Sequence, residues 1–442
     1  MAKKINDEIF SIIKKETERQ RDYLIMIPSE NYTSPAVRSV LGSVFTDKYS
    51  EGYPGKRYYQ GNPQVDAMET LTIERAKKLF KVPFANVQPY SGSPANLAIL
   101  TAVCKLKDPI LSQHLYMGGH LSMGQDASFT SKCFTAYHYG LTKEGDINWQ
   151  ELKELAKKYR PKIIFCGGTA FTKIFDFKKY GEIADSVGAY LVADISHIAG
   201  LIAGGSHPSP KNYAHIIMTT THKTLRGPRG AMIMVTDKGL KKDPELGEKI
   251  NKAVFPGLQG GPHNNNIAAL GVALTEAGKP SFKKYAGQIV KNSEALAKEL
   301  KRFGFVLVGG GSENHMLWID LTNRGIDGWT AAWGCEAAGI VVNRQTIPYE
   351  LKSPFYPSGL RLGTPALTTR GMKEKEMIKI ASWLDRIIEY LRKMNLNGIG
   401  SPDKATDQSA RKAFKVSVLD EPKLIKIKRE VIQLSRKFPL TF

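Results

Sequence analysis

Apolar residues recur at Ile5, Ile9, Ile12 and Ile13, a spacing of i, i+4, i+7 and i+8 that predicts an amphipathic helix ending before Pro28. Residues 46–64 are too rich in Gly and Pro for a regular helix, and a loop so dense in tyrosine and charge binds something or crosses an interface. From about 65 to 235 short apolar runs alternate with helical patterns. Runs at 163–165, 189–193 and 215–218 read as buried strands, separated by helical stretches at 149–158 and 178–187. That alternation argues for βαβ units and a mainly parallel sheet. A helical stretch from about 264 to 303 leads into a second, smaller α+β region, with strands at 305–308, 316–321 and 341–343 and a final long helix near 372–394. No internal repeat or low-complexity tract interrupts the pattern.

Length and composition narrow the class. The chain has 442 residues, 42% of them hydrophobic, which excludes disorder, collagen-like repeats and a disulfide scaffold and favours two packed domains. Cys104, Cys133, Cys166 and Cys335 lie far apart with no CxxC pair, so they read as reduced, buried thiols and no metal site is expected. The N-terminal residues hold no signal-like apolar run, and Asp7, Glu8, Glu16 and Glu18 argue against a transit peptide. The most membrane-like stretch, 188–205, is interrupted by Asp194 and His197, so a cytoplasmic protein without membrane spans is expected. Lys and Arg number 63 against 42 Asp and Glu, a formal net charge of +21 that suits nucleic acid, an acidic cell interior or an acidic small ligand.

Candidate chemistry gathers where strands end, since ligands of open parallel sheets sit beyond the carboxyl ends of the strands. One run ends at Asp194 with His197 three residues on, and the next in Thr219-Thr220-Thr221-His222-Lys223. The loop Ser91-Gly92-Ser93-Pro94-Ala95-Asn96 opens a helical run beginning about Ala95, which suits an anion such as phosphate. Pyridoxal phosphate asks for this set: a lysine for covalent attachment, a carboxylate opposite its ring nitrogen and a phosphate cup. Arg361, flanked by glycines in Ser-Gly-Leu-Arg-Leu-Gly-Thr-Pro-Ala, is a candidate for gripping an amino-acid carboxylate. Taken singly each of these is more often a turn, a helix cap or a solvated charge; their co-occurrence in this order is what carries weight.

The chain resembles the serine hydroxymethyltransferase family from Ser29-Glu30-Asn31-Tyr32-Thr33-Ser34-Pro35 to Arg361-Leu362-Gly363-Thr364-Pro365-Ala366. Between these lie Glu51-Gly52-Tyr53-Pro54-Gly55-Lys56-Arg57-Tyr58-Tyr59, Gly118-Gly119-His120-Leu121, Thr220-Thr221-His222-Lys223-Thr224-Leu225-Arg226-Gly227-Pro228 and Phe255-Pro256-Gly257-Leu258-Gln259-Gly260-Gly261-Pro262. The resemblance implies an α/β fold-type I pyridoxal-phosphate enzyme with an N-terminal helical arm (1–29), a large cofactor-binding domain (30–275) and a small C-terminal α+β domain (276–442). It implies a homodimer with shared active sites, or a tetramer of such dimers. The implied reaction moves the hydroxymethyl carbon of L-serine to tetrahydrofolate, giving glycine and methylenetetrahydrofolate.

By position, the resemblance makes Lys223 the attachment lysine and Asp194 the partner of the ring nitrogen. His120 stacks on the cofactor, and His197 hydrogen-bonds its phenolic oxygen with Thr169 nearby. Gly92 and Ser93 hold the phosphate with Tyr49, Gly260 and Gly261 of the neighbouring subunit. Arg361 and Ser29 take the substrate carboxylate, and Tyr59 reaches across the interface. Glu51 is the acid/base for the serine hydroxyl, and Lys223, Glu51, His222 and Thr220 form the catalytic set. The folate contacts fall on Leu115, Gly119, His120, Leu121, Tyr58, Ser353, Pro354 and Phe355.

The chain departs from the family pattern at Pro28, Gln60, Met117, Ser122-Met123-Gly124, Phe171 and Asn343-Arg344-Gln345, most of them around the expected folate mouth. Two other readings compete: a folate-independent β-hydroxy amino acid aldolase, and a basic RNA-binding protein with a vestigial site. The complete set of Lys, Asp, His, Arg and Glu argues against the second, and nucleic acid is not required. Phosphate, carboxylate and folate are all anions that a positive field steers inward, though few cations would touch them directly.

Overall fold

The computed structural model describes residues 7–394 and 396–440, so Ile5 of the N-terminal pattern lies outside the described residues. Seven strands form the main sheet: β1 (Phe84–Asn86), β2 (Pro109–Gln113), β3 (Thr135–Tyr139), β4 (Ile163–Cys166), β5 (Tyr190–Asp194), β6 (Ile216–Thr220) and β7 (Ala231–Val235). Their order across the sheet is β1-β7-β6-β5-β4-β2-β3. Pairings from β6 to β3 are parallel, while β7 runs antiparallel to both β6 and β1. β4, β6 and β7 are buried at every position. Both faces of the sheet are covered, which is why these strands read as unbroken apolar runs rather than alternating ones.

The helices flanking the sheet start where side chains can cap them. Asn148 accepts from the Glu151 N–H at the head of Trp149–Tyr159, and Asp176 accepts from Lys179 at the head of Phe177–Ser186. The expected stretch 264–303 is two helices, Asn264–Ala277 and Pro280–Arg302. Proline at the first turn of the second lacks the N–H that a continuous helix would need. The helix after Ser91 begins at Gly92, three residues earlier than the pattern suggested.

A second sheet holds β8 (Val306–Leu307), β9 (Met316–Asp320), β10 (Asn343–Gln345) and β11 (Gly359–Gly363) in the order β8-β9-β11-β10, all antiparallel. The expected strand at 341–343 is split: Ile340–Val341 pairs in parallel with Leu24–Ile25, and Asn343 opens β10. On β11, Leu360 and Leu362 enter the core of this second unit, so period-two alternation sends Arg361 to the opposite face, toward the main sheet. The helix Pro280–Arg302 spans both cores, contributing Phe282, Ala286 and Ile289 to one and Leu296 and Leu300 to the other.

The helix Glu374–Leu391 is not the last. Lys404–Leu419 and Pro422–Lys437 follow, burying Phe414, Val418, Leu424, Ile427 and Val431 against the second unit. The C-terminal stretch is therefore a packed helical pair, with Lys and Arg of both helices on its solvated outer face. The N-terminal helix Glu8–Asp22 buries no residue, and Ile9, Phe10, Ile12 and Ile13 are each more than half exposed. All four cysteines are free; Cys166 and Cys335 are buried, whereas Cys104 and Cys133 are only half-buried. No helix among the described residues is long and apolar enough to cross a membrane.

Candidate active site

The carboxyl ends of β4, β5 and β6 open into a cavity of about 430 Å³, closed on its far side by Arg361 from β11 and by Ser29 and Glu30 from the N-terminal segment. Lys223 projects into it from the turn after β6. Asn31 Nδ2 donates to the Lys223 carbonyl at 3.0 Å, and Gly227 N donates to the Thr221 carbonyl at 2.7 Å. Thr221 Oγ1 donates to the Pro228 carbonyl at 2.6 Å, and Thr224 Oγ1 to that of His197 at 2.9 Å.

Burial lowers the Lys223 ammonium from its ordinary 10.5 to about 8; Asp194 opposes the shift, and Arg361 and Arg229 add to it. A proton-free amine near neutral pH is what a nucleophilic lysine needs. The shift also costs stability. Below pH 8 the folded and unfolded chains both carry the proton and the penalty is complete; between pH 8 and 10.5 only the unfolded chain keeps it, so stability rises with pH. Lys223→Met protein without cofactor is therefore expected to be more stable than the parent at pH 7, by about 3 kcal/mol. Denaturant titrations across the pH range should show that advantage closing as pH approaches 10.5.

Asp194 ends β5 beside Met218 of β6. Its carboxylate accepts from Ser196 N at 3.0 Å and from Asn96 Nδ2 at 3.2 Å. Asn96 also donates to Ser122 Oγ at 2.8 Å, so the Ser122 hydroxyl proton is free to go to His120 Nδ1, 2.7 Å away. His120 is held below its usual range by burial, with Lys223 and Arg361 adding to the shift and Asp194 opposing it. A neutral ring and a carboxylate thus face one cavity from two elements. The helix Gly92–Val103 points its first turn at the same space, and Ser91 at its N-cap makes no side-chain cap bond. Thr220 Oγ1 and His222 Nδ1 are buried without a protein partner. Open helix N–H groups, an unpartnered hydroxyl, a carboxylate and a deprotonatable lysine together fit a phosphorylated pyridine aldehyde.

Arg361 is 9% exposed, and burial brings its guanidinium down to about 10. Its Nε donates to Asn343 Oδ1 at 3.2 Å and one Nη to the Thr169 carbonyl, but no carboxylate among the described residues forms an ion pair with it. A buried cation held only by neutral acceptors is a site prepared for an anion. Thr169 is itself fixed by its Oγ1 donating to the Gly119 carbonyl at 2.9 Å. Gly119 can hold no side chain, since a Cβ there would lie 2.0 Å from the Gln113 carbonyl oxygen.

The remaining expected residues lie outside this cavity. Glu51 accepts from Tyr59 OH at 3.1 Å and Tyr49 OH at 3.4 Å, beside Gly260 and Gly261. Glu51, Gly260 and Tyr58 line a separate open depression with the 255–259 turn. Within one chain this group does not line the Lys223 cavity. A buried pair anchors its loop: Arg57 Nη2 donates to Glu69 at 2.6 Å and Nη1 to the Ser50 and Gly52 carbonyls. Leu115 and the half-exposed Leu121 do not line the cavity; Leu115 N donates to Gln125 Oε1 at 3.0 Å. Ser353 Oγ accepts from Phe355 N, and the Phe355 ring lies under the guanidinium groups of Arg344 and Arg411 at 4.3 and 4.9 Å.

Sequence reasoning missed Glu30, Gly168, Ser196, Met218 and Arg229, all of which line the cavity. Ser196 and Arg229 sit in the same strand-end loops as Asp194 and Lys223, so reading those loops in full would have found them. It also missed His315, whose Nε2 lies 3.1 Å from His197 Nδ1.

The family model for serine hydroxymethyltransferase matches residues 2–384. Three curated relatives carry that name. The protein of Acidothermus cellulolyticus is 49% identical over 408 residues, covering 92% of this chain and 94% of the relative. That of Desulfotalea psychrophila is 50% identical over 381 residues, covering 86% and 88%. That of Sorangium cellulosum is 47% identical over 437 residues, covering 98% and 95%. With a cavity that suits the cofactor and a match over most of its length, the chain belongs to the serine hydroxymethyltransferase family.

Proposed function

We propose that the chain catalyses the pyridoxal-phosphate-dependent, reversible transfer of the L-serine hydroxymethyl carbon to tetrahydrofolate, in a fold-type I architecture that acts as a homodimer. The observation that carries the reading is Arg361: a buried guanidinium without a carboxylate partner, on the wall of the cavity that Lys223 and Asp194 share. When bound, the cofactor supplies an electron sink for charge developing at the amino-acid Cα. Lys223 would hold it covalently, Asp194 would keep its ring nitrogen protonated, His120 would stack on the ring, and His197 with Thr169 nearby would bond its phenolic oxygen. Gly92 and Ser93 take the phosphate, and Arg361 with Ser29 grips the substrate carboxylate as a paired, directional contact. Thr220 and His222 complete the wall beside the lysine.

Two observations support the second copy. Glu51, Tyr49, Tyr58, Tyr59, Gly260 and Gly261 stand apart from the cavity of their own chain, and the apolar face of Glu8–Asp22 is exposed. Delivered by a partner, Glu51 handles the serine hydroxyl proton, Tyr59 supports the substrate, and Tyr49, Gly260 and Gly261 complete the phosphate site. Leu115, Gly119, Leu121, Tyr58 and residues 353–355 receive the pterin. The division into an arm (1–29), a large unit (30–275) and a small unit (276–442) belongs to the same reading, with Pro280–Arg302 as the helix joining the two cores.

Serine cleavage measured with and without tetrahydrofolate tests it. The expected result is folate-dependent turnover of serine, with allo-threonine cleaved without folate. Serine turnover indifferent to folate would put the aldolase reading ahead.

A further inference from the structure

Two histidine rings behind the cavity fix each other's protons. His197 follows β5 and His315 immediately precedes β9, so the pair joins the two sheets. His197 Nδ1 and His315 Nε2 are 3.1 Å apart, and the residues are 5% and 0% exposed. Burial, with Lys223 and Arg361 nearby, drives both below their usual range, His315 to about 3. Burial disfavours the charged form of both rings, so each would carry one N–H, with a single proton between them. Were that proton supplied by His197, the proton of His315 would sit on Nδ1, which is buried with no protein partner. An orphaned buried N–H is rarer and costlier than a bare acceptor. The opposite arrangement follows: His315 Nε2–H donates to His197 Nδ1, and the proton of His197, which lines the cavity, sits on Nε2.

We propose that His315 is a positioning residue, locking His197 as a permanent hydrogen-bond donor toward an anionic oxygen of the ligand ring. The oxygen's identity as the cofactor phenolate rests on the function proposed above. The placement ties this donor to substrate recognition. The His315 carbonyl accepts from Thr364 N at 3.1 Å, and β9 pairs with β11, so one strand pair carries both His315 and Arg361.

The test is nitrogen-15 NMR of histidine-labelled protein without cofactor, with signals assigned by single substitutions. The expected spectrum has His197 protonated at Nε2 and bare at Nδ1. His315→Gln keeps an N–H donor at similar reach and should preserve that tautomer. His315→Leu should release a mixture of tautomers and, in the loaded protein, move the pH midpoint of the visible absorption band by about one unit. A parent protein with His197 protonated at Nδ1 overturns the proposal, and so does a folded His315→Leu protein with an unchanged His197 tautomer. If His315→Leu fails to fold, the parent spectrum and His315→Gln decide. The expected tautomer in a protein that takes up no pyridoxal phosphate would refute the proposed function and leave the histidine pair intact.

Discussion

Lys223→Ala protein mixed with pyridoxal phosphate is expected to show no absorption band of covalently held cofactor and to lose serine turnover by about 10⁴-fold or more. Burial lowers the Lys223 ammonium to about 8, so an appreciable fraction is a free amine at neutral pH. An ordinary surface lysine would be protonated almost throughout. Among the described residues no other lysine lines the cavity to take its place. The other cofactor contacts survive, and the variant should still retain cofactor in a form that dialysis removes. Lys223→Arg separates charge from chemistry: it keeps the cation, cannot deprotonate, and should fail as badly. An absorption band and turnover that persist in either variant would remove Lys223 from its role.

Mixing two dead proteins should restore activity. In the proposed homodimer every site would draw Lys223 from one chain and Glu51 from the other, so Glu51→Gln and Lys223→Ala should each inactivate it. After co-refolding at equal amounts, half the dimers are hybrids, and each hybrid has one site with both groups intact. About a quarter of parental activity is expected from a two-fold assembly. The effect is large because the baseline is near zero. The basis is the separation seen in one chain, where Glu51 and Gly260 line their own depression while Lys223, Asp194 and Arg361 line another. If the mixture stays inactive although hybrids form, Glu51 works within its own chain.

The legible parts of this protein share a physical cause. Asp194 and Lys223 could be read because a doubly covered parallel strand is a continuous apolar run, and the first polar residues after it mark the ligand side. Arg361 could be picked out as a carboxylate candidate from its residue type and flanking glycines, and its geometry rests on strand alternation between Leu360 and Leu362. His315 was not readable: it opens a buried strand, and its partner His197 is 118 residues away. The split at 341–343 was hidden for the same reason, since Ile340–Val341 pairs with Leu24–Ile25 from the other end of the chain. The C-terminal helices were overlooked because basic residues interleave an apolar stripe at Leu424, Ile427, Val431 and Leu434. Charge dominated composition there while spacing carried the structure.

The turn that carries Lys223 is tied down on both flanks, by Thr221 to Gly227 and Pro228, by Asn31 to Lys223, and by Thr224 to His197. Backbone fixed this way leaves the amine only the rotations of its own aliphatic stem. These are side-chain rotations, distinct from the loop and hinge motions that gate enzymes over roughly microseconds to milliseconds. If Lys223 holds the cofactor as proposed, its release and return would need only rotation of that stem.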